Sequence, residues 1–184
     1  MELLNFDNLM ATLEEYAQEV RNTYQDHLIT KDRVASGKLL NSIEYGVNYN
    51  GVEYEVTLTL EKYWKYIEYG VRGKENTSSP FPNPGWGAYP HILEWVKVKP
   101  VLPRPNKPRI KRPETLAGAI TAAIVKNGIK PGEEMKDALE EVNERYKQKL
   151  VIALRKDLEV IMKVMVGGIK GDVPQYERRE RKAK

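Results

Sequence analysis

A chain of 184 residues with 41% hydrophobic and 30% charged residues has the size and composition of one domain with an appended arm. The absence of cysteine excludes a disulfide framework, a thiolate metal site and a cysteine nucleophile, and permits assembly in a reducing cytoplasm. The formal net charge is +4, Glu2 and Asp7 stand where a leader would be basic and then apolar, and no apolar stretch approaches the ~20 residues of a membrane span, so a soluble protein without signal peptide is expected.

Residues 6–29 predict an amphipathic helix. Phe6, Met10, Leu13, Tyr16, Ala17, Val20, Tyr24 and Leu28 recur three or four apart, with Glu14, Glu15, Gln18 and Arg21 between them. Asn5 or Asp7 is placed to accept the free N–H groups of its first turn. After a charged break at residues 30–35, residues 36–43 predict one helical turn, with Ser36-Gly37 at its N-cap, leading into a strand. From Ile43 to Leu60 the period changes to two, through Val47, Tyr49, Val52, Tyr54, Val56, Leu58 and Leu60. Asn50-Gly51 interrupts the alternation, which predicts a hairpin whose two turn positions both need positive φ.

Tyr63, Trp64, Tyr66 and Tyr69 crowd four aromatics into seven residues before Gly70, the pattern of a short helix closed by a glycine at positive φ. Residues 71–88 turn to Gly, Asn, Ser and Pro and read as a protruding loop carrying Phe81 and Trp86; residues 91–98 predict another short helix. Prolines at 100, 103, 105, 108 and 113 make residues 100–113 extended, since proline removes backbone donors and fixes φ. An alanine-rich helix over residues 115–127 presents Leu116, Ile120, Ala123 and Ile124 and stops at Gly128. A last helix begins near Gly132, carries Met135, Leu139, Val142, Tyr146, Leu150, Leu154, Leu158, Ile161 and Met165 on one stripe, and ends at Gly167-Gly168. At roughly thirty residues it is about 45 Å long, more than so small a domain spans, so part of it projects onto a partner or the helix is kinked. The organisation expected is a core over residues 1–99, an arm over 100–113, a helical part over 114–168 and a basic tail over 169–184.

Charge is uneven. Lys97, Lys99, Arg104, Lys107, Arg109, Lys111 and Arg112 occur with no acidic residue among them, and Arg178, Arg179, Arg181, Lys182 and Lys184 repeat the bias in the tail. Such runs attract phosphate or acidic protein surfaces, or are simply solvated. Catalytic signatures are missing. His27 and His91 lie in no spacing that makes a zinc or iron motif, no serine sits in a nucleophile elbow, and the glycines form no phosphate cradle. Glu61 and Glu68 are the one carboxylate pair of note, and bonding to neighbouring backbone or Lys65 explains them better than acid–base chemistry. The aromatics near residue 66 suit core or interface better than base stacking.

One ordered set of motifs is more specific. Ser36-Gly37-Lys38-Leu39-Leu40-Asn41-Ser42-Ile43 precedes the hairpin, and Tyr63-Trp64-Lys65-Tyr66-Ile67-Glu68-Tyr69-Gly70 and Pro80-Phe81-Pro82-Asn83-Pro84 follow it. Their order and spacing resemble the tail-completion (neck, head–tail connector) proteins of tailed phages, over residues 9–84 and again 116–139. Trp64 stands where that family usually has a small residue, and the proline arm and long last helix exceed its compact pattern.

The resemblance implies an α+β fold, a small antiparallel sheet on a long N-terminal helix. It implies assembly into a ring of six or twelve copies that joins head to tail, touches neighbouring portal or tail proteins, and surrounds passing double-stranded DNA. No cofactor and no catalysis are implied, and the expected location is the virion, after assembly in the host cytoplasm. The interface expected from the chain's surplus apolar and extended elements comprises Trp64, Tyr66, Phe81, Trp86, Arg104 and Arg109, with Lys107, Lys111 and Arg112 meeting DNA or an acidic partner. A nucleic-acid-binding module using the basic arm is the alternative. Gly51→Val tests the hairpin: with positive φ required there, it should lower stability by about 1–3 kcal/mol in urea unfolding.

Overall fold

The computed structural model describes residues 6–75, 78–99 and 112–171. Most of the proline arm, with Arg104, Lys107, Arg109 and Lys111, and the tail beyond residue 171 lie outside the described residues. Helix α1 (Asp7–Thr30) is followed by the single turn α2 (Lys38–Asn41), strands β1 (Glu44–Tyr49) and β2 (Tyr54–Thr59), and helix α3 (Trp64–Tyr69). A 3-10 turn (Gly85–Ala88) runs into α4 (Tyr89–Val98), and α5 (Pro113–Asn127) and α6 (Glu134–Gly171) complete the order. Mixed helices with one small antiparallel sheet make an α+β fold, as expected.

The organising contact is between α1 and α6, which lie antiparallel: Asn8 meets Asp157, Tyr16 meets Asn143, and Lys31 meets Asp137. Buried Ala17, Val20, Tyr24 and Leu28 of α1 face buried Met135, Ala138, Val142 and Tyr146 of α6. The β1–β2 hairpin pairs Tyr45 with Leu58, Val47 with Val56 and Tyr49 with Tyr54. That face turns toward α1, where Arg21 sits over the Tyr45 ring at 5.4 Å and Phe6 meets Tyr54 edge-on at 6.4 Å. The opposite face is polar, with Glu44, Asn48, Glu55 and Thr57, as alternation requires.

The hairpin forms where the alternation placed it, but its turn differs. Pairing closes at Tyr49–Tyr54, leaving a four-residue loop, and within it positive φ occurs only at Gly51 (94°). The Asn50 side-chain oxygen accepts the N–H groups of Val52 and Glu53, both at 3.0 Å, so asparagine acts by side-chain bonding and not by a left-handed backbone. The N-terminal cap of α1 also differs. Asp7 is the first helical residue and Phe6 makes no side-chain cap bond; the free N–H groups of Asn8 and Leu9 donate to Asp157 of α6 at 3.1 and 2.8 Å. At α2 the cap residue is Gly37 in the left-handed region, while Ser36 Oγ accepts the Lys38 N–H at 3.3 Å.

A second helical layer consists of the 3-10 turn, α4 and α5, packed around Val96, Ala117 and Thr121. Sequence places residues 71–88 in a protruding loop; the fold instead ties much of that segment to α5. Lys74 and Glu75 donate to the carbonyls of Val125 and Lys126, Asn83 Nδ2 donates to Val125 O at 2.7 Å, and the loop ends in the 3-10 turn. The buried line of α5 is Ala117 and Thr121, one residue on from the expected Leu116 and Ile120, and Ala123 is exposed. Arg112 is extended and Pro113 opens α5, so proline serves here as a first helical residue.

The two layers and α6 join at one junction. Val71 and Ile129 exchange backbone bonds at 2.9 and 2.8 Å, and Gly70 and Gly128, directly before each, have nearly the same backbone angles: φ 70°, ψ −167° and φ 73°, ψ −168°. A Cβ on Gly70 would lie 2.2 Å from the Ile129 carbonyl oxygen, and one on Gly128 2.3 Å from that of Val71. Positive φ was expected at the end of α3; the extended ψ that lets two segments approach this closely was not. Beside this bridge the buried Glu68 carboxylate accepts the N–H groups of Met135 at 2.8 Å and Lys136 at 3.0 Å, capping α6 from another helix. Burial first, and then the carboxylates of Glu68 and Glu134, push the Tyr24 phenol above its ordinary 10.0. Glu68→Ala leaves two buried N–H groups without acceptors and should cost about 1–3 kcal/mol in urea unfolding; Glu68→Gln, which keeps one acceptor oxygen but loses the charge favoured at a helix N-terminus, should cost less.

Candidate functional site

Two exposed apolar surfaces stand at opposite ends of α6. The first is aromatic and surrounds α3. Tyr66 meets Phe81 edge-on at 5.0 Å, Tyr69 meets Phe81 at 6.2 Å and Trp64 at 6.0 Å, so Trp64, Tyr69, Phe81 and Tyr66 form one continuous series. Lys65 Nζ lies 5.3 Å from the Tyr66 ring centre and 5.5 Å from that of Phe81, a cation held over π faces. Tyr66 and Tyr69 remain 42% and 46% exposed, whereas Trp64 is largely drawn into the core beside Leu39 and Ile43. Of the expected interface residues, then, Trp64, Tyr66 and Phe81 come together. Trp86, 62% exposed on the 3-10 turn, makes no ring contact with them, and Arg112 is exposed at the start of α5. Tyr69 and Lys65 complete the patch. Both lie in the motif that carries Trp64 and Tyr66, and only the loop bringing Phe81 back over α3 selects them.

The second surface is the C-terminal half of α6. Gly167-Gly168 does not end this helix; it continues to Gly171, giving 38 residues and a length of about 57 Å. Its partner α1 has 24 residues, so α6 outlasts it. The buried line also departs from the expected stripe. After Tyr146 it passes through Ala153, Asp157 and Ile161, leaving Leu154, Leu158 and Met165 39%, 45% and 54% exposed. Val151, Ile152, Val160, Met162, Val164 and Val166 are exposed as well, from 50% to 68%. Val151, Leu154, Leu158, Met162 and Met165 fall on one face of the helix, and exposed apolar faces are commonly interaction sites. The sequence signal for it is the run of apolar residues one position beyond the line that α1 covers.

The remaining candidates resolve into structural contacts. Glu68 is spent on the α6 N-terminus and bonds backbone, not Lys65, while Glu61 pairs with Lys38 at 3.4 Å. His27 bridges α1 to α6, with Nδ1 3.3 Å from the Glu134 carbonyl oxygen and Nε2 3.3 Å from Glu141. His91 is exposed at the start of α4. Among the described residues no group of three or more His, Cys, Asp or Glu is arranged to hold a metal ion, and no helix is long and apolar enough to cross a membrane. No family model, curated protein or solved structure matches the chain.

Asp157 marks the point where α6 leaves α1. Burial pulls its pKa upward, but the bonds from Asn8 and Leu9 outweigh burial and hold it below the ordinary 3.8. A carboxylate so depressed contributes stability above its unfolded pKa and loses it as pH falls through the lower folded value. Asp157→Asn should therefore lower stability by about 1–2 kcal/mol at neutral pH, with the difference from the parent chain shrinking once the pH is well below 3.8, read from urea midpoints across a pH series.

Proposed function

We propose that the chain is a non-enzymatic structural subunit of a tailed-phage particle, a neck or tail-completion protein assembled as a closed ring of six or twelve copies between head and tail. The observation that carries this reading is the mismatch between α6 and α1: a 38-residue helix leaves its 24-residue partner with its exposed side chains still predominantly apolar. A stable fold does not need that extension, and an assembly does. Two different surfaces at opposite ends of α6, aromatic at one and aliphatic at the other, suit the heterologous contacts from which cyclic rings are made. The motif order from Gly37 to Pro84, similar to that of tail-completion proteins, supplies the particular kind of assembly.

On this reading the aromatic patch with Tyr66 and Phe81, together with Trp86, meets a neighbouring subunit, portal or tail protein. The arm with Arg104 and Arg109 lies across the neighbour, and Lys107, Lys111 and Arg112 face an acidic partner or the passing DNA. No cofactor enters, and the protein resides in the virion after assembly in the host cytoplasm. Negative-stain electron microscopy of the purified chain, alone and with its portal and tail neighbours, tests this. Closed rings are expected, and Tyr66→Ala with Phe81→Ala should reduce them. A chain that stays monomeric with those neighbours present sinks the reading, and a monomer that binds duplex DNA with a steep loss of affinity in salt establishes the nucleic-acid alternative.

A further inference from the structure

Along the second half of α6, Leu150, Ala153, Asp157 and Ile161 form the line turned inward, and Val151, Leu154, Leu158 and Met162 form a second line one residue on, about 100° around the helix. With Met165 the second line is spaced three, four, four and three residues apart, a spacing that reads the same in both directions about Leu158. We propose that two copies of the chain pair through this line, their α6 helices antiparallel, with a two-fold axis at Leu158.

Antiparallel pairing sets Val151 against Met165 of the second copy, Leu154 against Met162 and Leu158 against Leu158. Each contact joins aliphatic or thioether side chains, and methionine adapts to fill what branched neighbours leave. Charge is compatible with this direction. Arg155 and Glu159 lie together on one flank, 2.9 Å apart within their own helix. In the antiparallel pair that flank meets the same flank of the second copy, and Arg155 of one copy comes within two residues' rise, about 3 Å, of Glu159 of the other. The area is adequate. The five side chains of this line are 39% to 65% exposed, on the order of 300–500 Å² of apolar surface per copy. Two copies together approach the ~1,000 Å² that a specific interface needs. A two-fold pair of this kind is isologous and does not itself build a polar ring. It is the form that keeps this surface covered before incorporation, and it stands whether or not the virion reading does.

Because the chain has no cysteine, introduced thiols report on this contact alone. Val151→Cys and Met165→Cys chains, mixed and oxidised, should give a covalent dimer containing one of each, while either chain oxidised by itself should not, and Val160→Cys, on the far side of the helix, should stay reduced. Leu158→Glu, at a position already 45% exposed, should halve the mass seen by light scattering with an unchanged far-UV circular dichroism spectrum; Leu158→Ala, which adds no charge, should weaken association in the same direction. The pairing is overturned if the parent chain is monomeric at high micromolar concentration, if Val151→Cys links to itself, or if Val160→Cys links as readily. Rings or particles containing chains that never give the 151–165 link overturn the pairing and leave the virion reading standing. Linked pairs from a chain that never enters a particle do the reverse.

Discussion

The Glu68 carboxylate on the first N–H groups of α6 is the contact on which the rest of the molecule depends. It is 3% exposed and accepts from two consecutive backbone donors, so the start and direction of the longest helix are set by a residue 66 positions earlier than Glu134. A free helix N-terminus carries unpaired donors and about half a positive charge, and a buried carboxylate satisfies both at once. Gly132 and Glu133 add N–H donations to the Glu68 carbonyl oxygen, so the main chain of α3 and the approach to α6 are locked as well. The bridge between Val71 and Ile129 adjoins this junction, and only glycine at 70 and 128 lets the two backbones come that near. At the far end of the α1–α6 pair Asp157 repeats the device, with a carboxylate of α6 capping α1. Two carboxylates from distant parts of the chain thus hold α6 at two points, Glu68 anchoring its start to α3 and Asp157 tying it to the start of α1, with the apolar α1–α6 line between them.

Elements with a sustained period were legible in the sequence and contacts made across the chain were not. Alternation from Ile43 to Leu60 gave two strands because one face rests on α1 and the other meets water. The three-and-four spacing of α1 gave a helix for the corresponding reason, and Val20, Tyr24 and Leu28 are buried as it requires. Local rules misassigned the caps. Asp7 has the right chemistry for the start of α1, and a carboxylate 149 residues from Asn8 does the capping instead, while Asn5 lies outside the described residues. Glu68 read as an ordinary helix-face acid because its acceptors' partners lie beyond the proline arm. Asn-Gly suggested a two-residue turn, but the side chain of Asn50 supplies bonds that a left-handed backbone would otherwise have to make.

The aromatic patch was half legible for the same reason. Trp64, Tyr66 and Phe81 share apolar character, but the sequence does not say that Phe81 returns to α3. That return is made inside the loop, with no periodic signal to announce it: the Arg72 N–H donates to the Phe81 carbonyl at 3.0 Å and Arg72 Nε donates to the Ser79 carbonyl, folding the loop back on itself. Trp86, equally aromatic, sits past that return on the 3-10 turn and stays apart.

The α6 stripe shows best why a helical period alone cannot name a partner. Leu154, Leu158 and Ile161 fit one wide apolar face, and a single interface would bury the leucines first. The fold buries Ala153 and Asp157 in their place: alanine lets α1 approach closely, and the aspartate is needed at the α1 N-terminus. That choice turns the larger side chains a third of the way around the helix, away from the chain's own core. Small and polar residues thus serve the contact with α1, and the greater apolar area is left outward, among the described residues, as surface a second molecule can cover. A sequence selected for the monomer's stability alone would have the two lines exchanged.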